Sequence, residues 1–150
     1  MKVTTKTRYA LRVMLQLGLD YEKGSGKEVS MLGDIAKREN LSEKYLSLVV
    51  IPLRAHGLIN SVRGSKGGYL LARDPSRISI KDVYEATDGK VCTVDCTLAE
   101  NNCNNSKKCT TREVWLKLDH AIEKTLGEIT LKDLVDSYKQ KNKIQLSYVI

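Results

Sequence analysis

The chain has 150 residues, with 25 Lys and Arg against 18 Asp and Glu, a net charge of +7, four Cys, one Trp and no Phe. That length supports one core built from aliphatic side chains, or one small domain with an appendage. Nowhere does an uncharged apolar run reach the roughly eighteen residues a membrane-spanning helix needs. The basic opening Met1–Arg8 leads into an amphipathic stretch rather than a signal-peptide block, so a cytoplasmic location with reduced thiols is expected.

Charge is unevenly spread. Residues 1–91 hold 16 Lys and Arg against 10 Asp and Glu, whereas residues 92–150 hold 9 against 8. A basic front half points to a polyanionic partner, nucleic acid first, with a solvated basic surface as the plain alternative.

In chain order, Thr4 or Thr5 caps a helix over about residues 6–22, with Tyr9, Ala10, Val13, Met14 and Leu17 on one face. Lys23-Gly-Ser-Gly26 stops it. A second helix, about Met31 to Glu39, has Ser30 as its N-cap and buries Leu32, Ile35 and Ala36. Asn40 suits the left-handed conformation that ends a helix. Ser42 caps a third helix, Glu43 to His56, closed by Gly57. Leu46, Val49, Val50 and Leu53 form its buried stripe, leaving Glu43, Lys44, Ser47 and Arg54 outward, and Pro52 predicts a kink near residue 48. Two short helices joined by Asn40-Leu41-Ser42 have the form of a helix-turn-helix, whose second member enters a major groove.

Leu58–Arg63 and Tyr69–Arg73 read as strands around the glycine-rich turn Gly64-Ser-Lys-Gly-Gly68, giving a β-hairpin. From Arg54 to Ile80 there are five Lys and Arg and one acidic residue, Asp74. A basic hairpin directly after a helix-turn-helix is the wing of a winged-helix domain. Its glycines let the backbone beside Arg63 approach a phosphate or a minor groove. Asp74-Pro75 breaks the second strand. Ser79 with Asp82 then caps a fourth helix, Ile80 to Thr87, ended by Gly89.

All four cysteines follow within one polar stretch: Cys92, Cys96, Cys103 and Cys109. With no apolar face to bury, residues 92–109 should be a loop. Thiolates are soft ligands for iron–sulfur clusters, zinc or copper(I), and the irregular gaps suit a cluster better than the paired Cys-x-x-Cys turns of structural zinc. A zinc site, a pair of disulfides and redox-sensing thiols stay open as alternatives. Past the loop, Thr110 and Glu113 make a capping box that opens a helix to about Leu126. Val114, Leu118, Ala121, Ile122 and Leu126 line one face, and Trp115 and Leu116 widen it beyond what one intramolecular contact needs. The surplus suits a dimer surface, with packing against the first helix as the alternative. Thr130 caps a last short helix to about Tyr138, Lys139–Lys143 look frayed, and Leu146–Ile150 have no assignment. No catalytic set emerges: His56 and His120 lie in predicted helices without a nucleophile at useful spacing, and His56 suits a helix C-terminus.

With wing and cysteine loop in view, the chain resembles the IscR, NsrR and CymR family of bacterial winged-helix regulators over nearly its whole length. The stretches that carry the resemblance are Thr4-Thr-Lys-Thr-Arg-Tyr-Ala10, Leu41-Ser-Glu-Lys-Tyr-Leu46, Leu53-Arg-Ala-His-Gly-Leu58, Val62-Arg-Gly-Ser-Lys-Gly-Gly-Tyr-Leu70 and Ile129-Thr-Leu-Lys-Asp-Leu134. The resemblance implies a mainly α fold with a small β-hairpin wing. It divides the chain into a winged helix-turn-helix DNA-binding domain (1–90), a cluster-binding loop (91–109), and a dimerisation helix with a C-terminal helix (110–150). It also implies a homodimer on a double-stranded operator. Ser42, Lys44, Tyr45 and Ser47 would lie on the reading helix, and Arg63, Ser65, Lys66 and Gly67 at the wing. Ser47 and Leu48 replace a Glu and a Gln of the IscR branch, so the exact operator of that branch does not carry over.

In the IscR branch three cysteines and a His hold a 2Fe-2S cluster. The cysteines correspond to Cys96, Cys103 and Cys109, but the His position is Arg112, which stays protonated and cannot ligate. The N-terminal Asp used by NsrR-like proteins is Arg8 here. Cys92 is the natural fourth ligand, with Asp95 or a partner residue as alternatives. The CymR branch lacks the cysteine trio. The expectation is therefore a non-enzymatic transcription regulator, a repressor in preference to an activator. It is controlled by an iron–sulfur cluster, 2Fe-2S before 4Fe-4S, and responds to cluster supply, redox state or nitric oxide. A thiol- or zinc-based CymR-like regulator is the alternative.

Overall fold

Helix α1 (Thr5–Lys23) begins where the Thr4 hydroxyl accepts the Thr7 amide at 3.2 Å, satisfying one of the donors a helix start leaves open. The structure, a computed structural model, describes residues 1–149. Helix α1 buries Ala10, Val13, Met14 and Leu17 and is the element around which the others pack. Helix α2 (Leu32–Glu39) ends at Asn40, which takes the left-handed conformation (φ 52°). Helix α3 (Glu43–Ala55) starts at Ser42, whose hydroxyl accepts the Tyr45 amide.

Helix α3 runs unbroken through Pro52. Its ring cannot donate to Leu48, a cost of about 3 kcal/mol in an unsupported helix. Leu46, Val49, Val50 and Leu53 are all buried on the opposite stripe, each contributing about 1.5–3 kcal/mol. Burial wins. His56 closes the helix, its ring Nδ1 3.0 Å from the Pro52 carbonyl.

Strands β1 (Ile59–Val62) and β2 (Gly68–Leu71) pair antiparallel, with Ile59 opposite Leu71 and Val62 opposite Gly68. Both are shorter than the sequence pattern predicts. The residue expected to cap α2, Ser30, does something else. It forms an isolated antiparallel bridge with Tyr69, its amide and carbonyl exchanging 2.8 Å hydrogen bonds with that residue, so a single residue of the α1–α2 connection pairs with the outer edge of the wing. The N-cap of α2 is Met31, with no side-chain bond. The approach demands glycine, because a Cβ on Gly68 would stand 2.2 Å from the Ser30 carbonyl oxygen.

A 3-10 turn at Pro75–Arg77, capped by Asp74, leads to α4 (Ile80–Asp88), where Ser79 and Asp82 form the predicted capping box and Gly89 (φ 79°) ends the helix. Residues 92–109 form no long element but carry three 3-10 turns, Asp95–Thr97, Glu100–Asn102 and Ser106–Lys108. Helix α5 (Thr110–Glu128) follows. Its N-cap is Cys109, not Thr110, and no side-chain capping bond forms. Helix α6 (Leu131–Val149) opens with a reciprocal pair, Thr130 and Asp133.

That last helix is far longer than predicted, continuing through Lys139–Lys143 and the Leu146 stretch; Ile150 lies outside the described residues. It folds back along α1, burying Leu131 and Val135, and Lys132 and Lys139 both reach Glu22 of α1. Thus α6, rather than α5, covers that side of α1, while α5 packs on α4 and the first turn of the cysteine loop. Among the described residues no helix is long and apolar enough to cross a membrane.

Candidate functional site

Two regions hold the residues singled out from the sequence. The first is the outer face of α3 with the hairpin tip. Ser42, Lys44 and Ser47 are exposed along α3, and Arg63, Ser65 and Lys66 are exposed at the tip, where Gly64 adopts φ 105°. Gly67 is half-buried inside the turn, where a Cβ would come 2.3 Å from the Val62 carbonyl oxygen. Tyr45 is also half-buried. Its ring meets Tyr9 of α1 edge-on at 5.4 Å, so part of it braces α3 against α1. The Ser47 hydroxyl donates to the Lys44 carbonyl at 2.6 Å, and the Ser42 oxygen is occupied by its cap.

An ionic group that sequence reading missed joins α1 to α2, with Asp20 buried and Arg38 at the surface. Asp20, at the end of α1, accepts the Ser30 hydroxyl at 2.6 Å and the Arg38 guanidinium at 2.8 and 3.1 Å. Burial pushes the Asp20 carboxyl up, but hydrogen bonds from Arg38 and Ser30 outweigh it and hold the group below the ordinary carboxylate range. Arg38 is held above its usual value, chiefly by the Asp20 hydrogen bond. Because Ser30 also pairs with Tyr69, this group ties α1 and α2 to the wing.

The second region is the cysteine loop. Its root is fastened by Asp119 of α5, which accepts the Thr93 amide at 2.8 Å. Its middle is fastened by Arg112, whose Nε donates to the Cys96 carbonyl at 3.0 Å. Buried Ser106 bonds to the carbonyls of Glu100 and Cys103 and gathers the outer turns. The four cysteines are free thiols, so the disulfide alternative is not what the structure has. Cys92, Cys96 and Cys109 are half-buried and Cys103 is exposed.

Cys109 sits at the N-terminus of α5 with its sulfur 3.2 Å from the Thr111 hydroxyl. That hydroxyl and the Arg112 amide lower the Cys109 thiol below its ordinary range. In kind, the donor set suits a soft metal centre. In position it is not gathered: among the described residues no three Cys, His, Asp or Glu side chains come together as a metal-holding group.

Two aliphatic side chains on the outer face of α3, Leu48 and Ile51, are exposed; the sequence pointed to Leu48 only through the resemblance, and Ile51 was missed. Helical spacing would have found them, since both lie opposite the buried stripe. Ties such as Thr93 to Asp119 span 26 residues and leave no local signal.

A pair of short helices with the second exposed, followed by a basic hairpin and a long fifth helix, defines a winged helix-turn-helix transcription regulator. The chain belongs to the Rrf2 family, described as iron-dependent transcriptional regulator, whose profile matches residues 3–137. It is similar to the HTH-type transcriptional regulator IscR of Xenorhabdus nematophila, with 38% identity over 135 residues, 90% of this chain and 79% of that protein. Its fold is similar to that of CymR (YrzC), the global cysteine regulator of B. subtilis: TM-score 0.73, 34% identity, 91% of this chain and 98% of that one. It is equally similar to T. potens IscR, with TM-score 0.73 and 34% identity over 94% of this chain and 90% of that one. The relatives are named as regulators of transcription, and this chain is a regulator rather than an enzyme.

Proposed function

We propose that the chain is a homodimeric repressor whose hold on a double-stranded operator is set by an iron–sulfur cluster on residues 92–109. One observation carries this reading. Every thiol of the chain lies on a loop fastened to α5 by Asp119 and Arg112, and the last thiol is the N-cap of that same helix. Cys96, Cys103 and Cys109 would hold the cluster with Cys92 as the fourth ligand, 2Fe-2S in preference to 4Fe-4S. When bound, the cluster supplies a centre whose occupancy or state reports cluster supply, redox state or nitric oxide.

The remaining work is done by the chain itself. The start of α5, with Thr111, favours the thiolate of Cys109. Arg112 holds the Cys96 turn beside that helix start, and Asp119 sets where the loop leaves Val91. Val114, Trp115, Leu116 and Leu118 on α5 are exposed and would supply the surface for a second copy. Helix α5 packs on α4, and α4 on α1 and α3. A loop arrangement favoured by ligand binding therefore biases how two reading faces sit on half-sites about one helical turn apart. Ser42, Lys44, Tyr45 and Ser47 would face the major groove, and Arg63, Ser65, Lys66 and Gly67 the minor groove and phosphates.

A second reading, a thiol- or zinc-based regulator without a cluster, is favoured by the likeness to CymR, and its thiol form also by the separation of the thiols. Anaerobic purification with iron, sulfide and zinc analysis separates the two. The cluster reading expects a coloured protein with iron and acid-labile sulfide, both lost in Cys96→Ala, and a different operator affinity once stripped. A colourless zinc-loaded protein, or reversible thiol oxidation that alone changes affinity, moves the assignment to the second reading.

A further inference from the structure

Leu48 is 57% exposed and Ile51 61% exposed, in the middle of α3. Their spacing puts them on one helical face with exposed Lys44, Ser47 and Arg54. A single exposed aliphatic side chain is ordinary, but two together at the centre of a face bordered by cations mark a contact surface. Ile51 also lines a shallow depression with Arg54 and Tyr69, next to the wing. Along its edges the surface is cationic, with Lys44 and Arg54 on the helix and exposed Arg63 and Lys66 on the hairpin. In its middle it is apolar.

A duplex matches both properties. Its phosphates meet the rim, and the C5 methyl of thymine is the apolar group that the major groove presents. The small hydroxyls nearby are already engaged within α3: Ser47 donates to Lys44 and Ser42 caps the helix. Leu48 and Ile51 are left as large side chains with no partner at the centre of the face. Three residues of helix advance about 4.5 Å, close to the step of about 3.4 Å between bases along a strand. Two neighbouring methyl groups are therefore within reach of the pair.

We infer that Leu48 and Ile51 are specificity-determining residues that read thymine methyl groups at neighbouring base pairs in each half-site. The inference rests on the DNA-binding reading and adds the chemistry of the sequence it selects. To test it, duplexes bound by the full-length protein are enriched from a randomised pool. Thymines of the enriched half-site are then replaced by deoxyuridine, which removes the methyl and leaves the pairing unchanged. The expected result is a loss of about fourfold in affinity for each methyl taken from beneath the pair. In Leu48→Ala or Ile51→Ala, deoxyuridine at the matching position should change affinity less than twofold.

Wild-type protein that binds the deoxyuridine and thymine duplexes equally well overturns the inference and leaves DNA binding standing. So does a pair of alanine variants that enrich the same half-site with unchanged affinity. A pool from which nothing is enriched ends the DNA-binding reading itself, and this inference with it.

Discussion

Asp119 accepts the backbone N–H of Thr93 at 2.8 Å, and it is the one residue of α5 that is buried within the chain. A carboxylate placed there meets the point where the chain leaves the core at buried Val91 and enters the cysteine loop. Asp119→Ala removes the acceptor and leaves the Thr93 amide without it, at a cost of about 1.5–3 kcal/mol for a charge-assisted bond. Asp119→Asn keeps an acceptor oxygen and should lie between. Denaturant midpoints give the stability order, and the alkylation rate of Cys92 should rise in the alanine variant. Equal labelling in all three proteins would show that the root of the loop is held by something else.

The lowered thiol of Cys109 makes a kinetic prediction. Its alkylation rate should rise with pH through a midpoint lower than that of an ordinary cysteine thiol. Replacing Thr111 with Val deletes the first of the stabilising hydrogen bonds and should move the midpoint upward. Mass spectrometry of protein briefly treated with iodoacetamide, with the other three cysteines replaced by serine, follows this directly.

Asp20 predicts an acid-sensitive part of stability. Its folded pKa lies below the unfolded value of about 3.9, so the stabilisation is present at neutral pH and disappears as pH falls through the folded value. Asp20→Asn should be less stable than wild type by about 2 kcal/mol at pH 7. The gap should narrow as the pH is taken below about 4. Urea midpoints at pH 7 and pH 3 measure it. Because Ser30 is held by the same carboxylate and pairs with Tyr69, amide exchange at Tyr69 should quicken in the variant at neutral pH.

Arg63 stands exposed beside Gly64 at the hairpin tip. Removing it as Arg63→Ala should weaken operator binding and reduce the slope of log affinity against log salt by about 0.9 for each phosphate that the guanidinium neutralises. Fluorescence anisotropy over a salt series reads both quantities at once. An unchanged slope with weaker binding would place Arg63 on a base edge or in a minor groove, away from the phosphates.

Local chemistry made much of this fold legible. Ser42, the Ser79 and Asp82 pair, Asn40 and Gly89 each act on groups within four residues, and each ends or starts a helix where the sequence says it should. The failures share a cause. Ser30 has the look of an N-cap but is taken by Tyr69, a partner 39 positions away that no window reveals. Thr110 and Glu113 spell a capping box, yet the helix starts one residue earlier and uses neither side chain as a cap. Helix α6 carries a polar stretch, Lys139–Lys143, that looks like an end; the helix instead continues, and Lys139 finds Glu22 of α1. For the candidate site, the cysteines and the basic hairpin were visible as residue types, whereas the clamps formed by Asp119 and Arg112 exist only through the fold.

The far end of α5 is tied to the core as well. Ser79 and Thr130 form a bridge, with Ile80 donating to Ile129 at 2.9 Å and Leu131 donating to Ile78 at 2.8 Å. A rod gripped at both tips cannot absorb a push as slack. On the cluster reading proposed above, a rearrangement of the sulfur-bearing turns would be passed along the rod to whatever is seated on its greasy flank, rather than lost at a loose end.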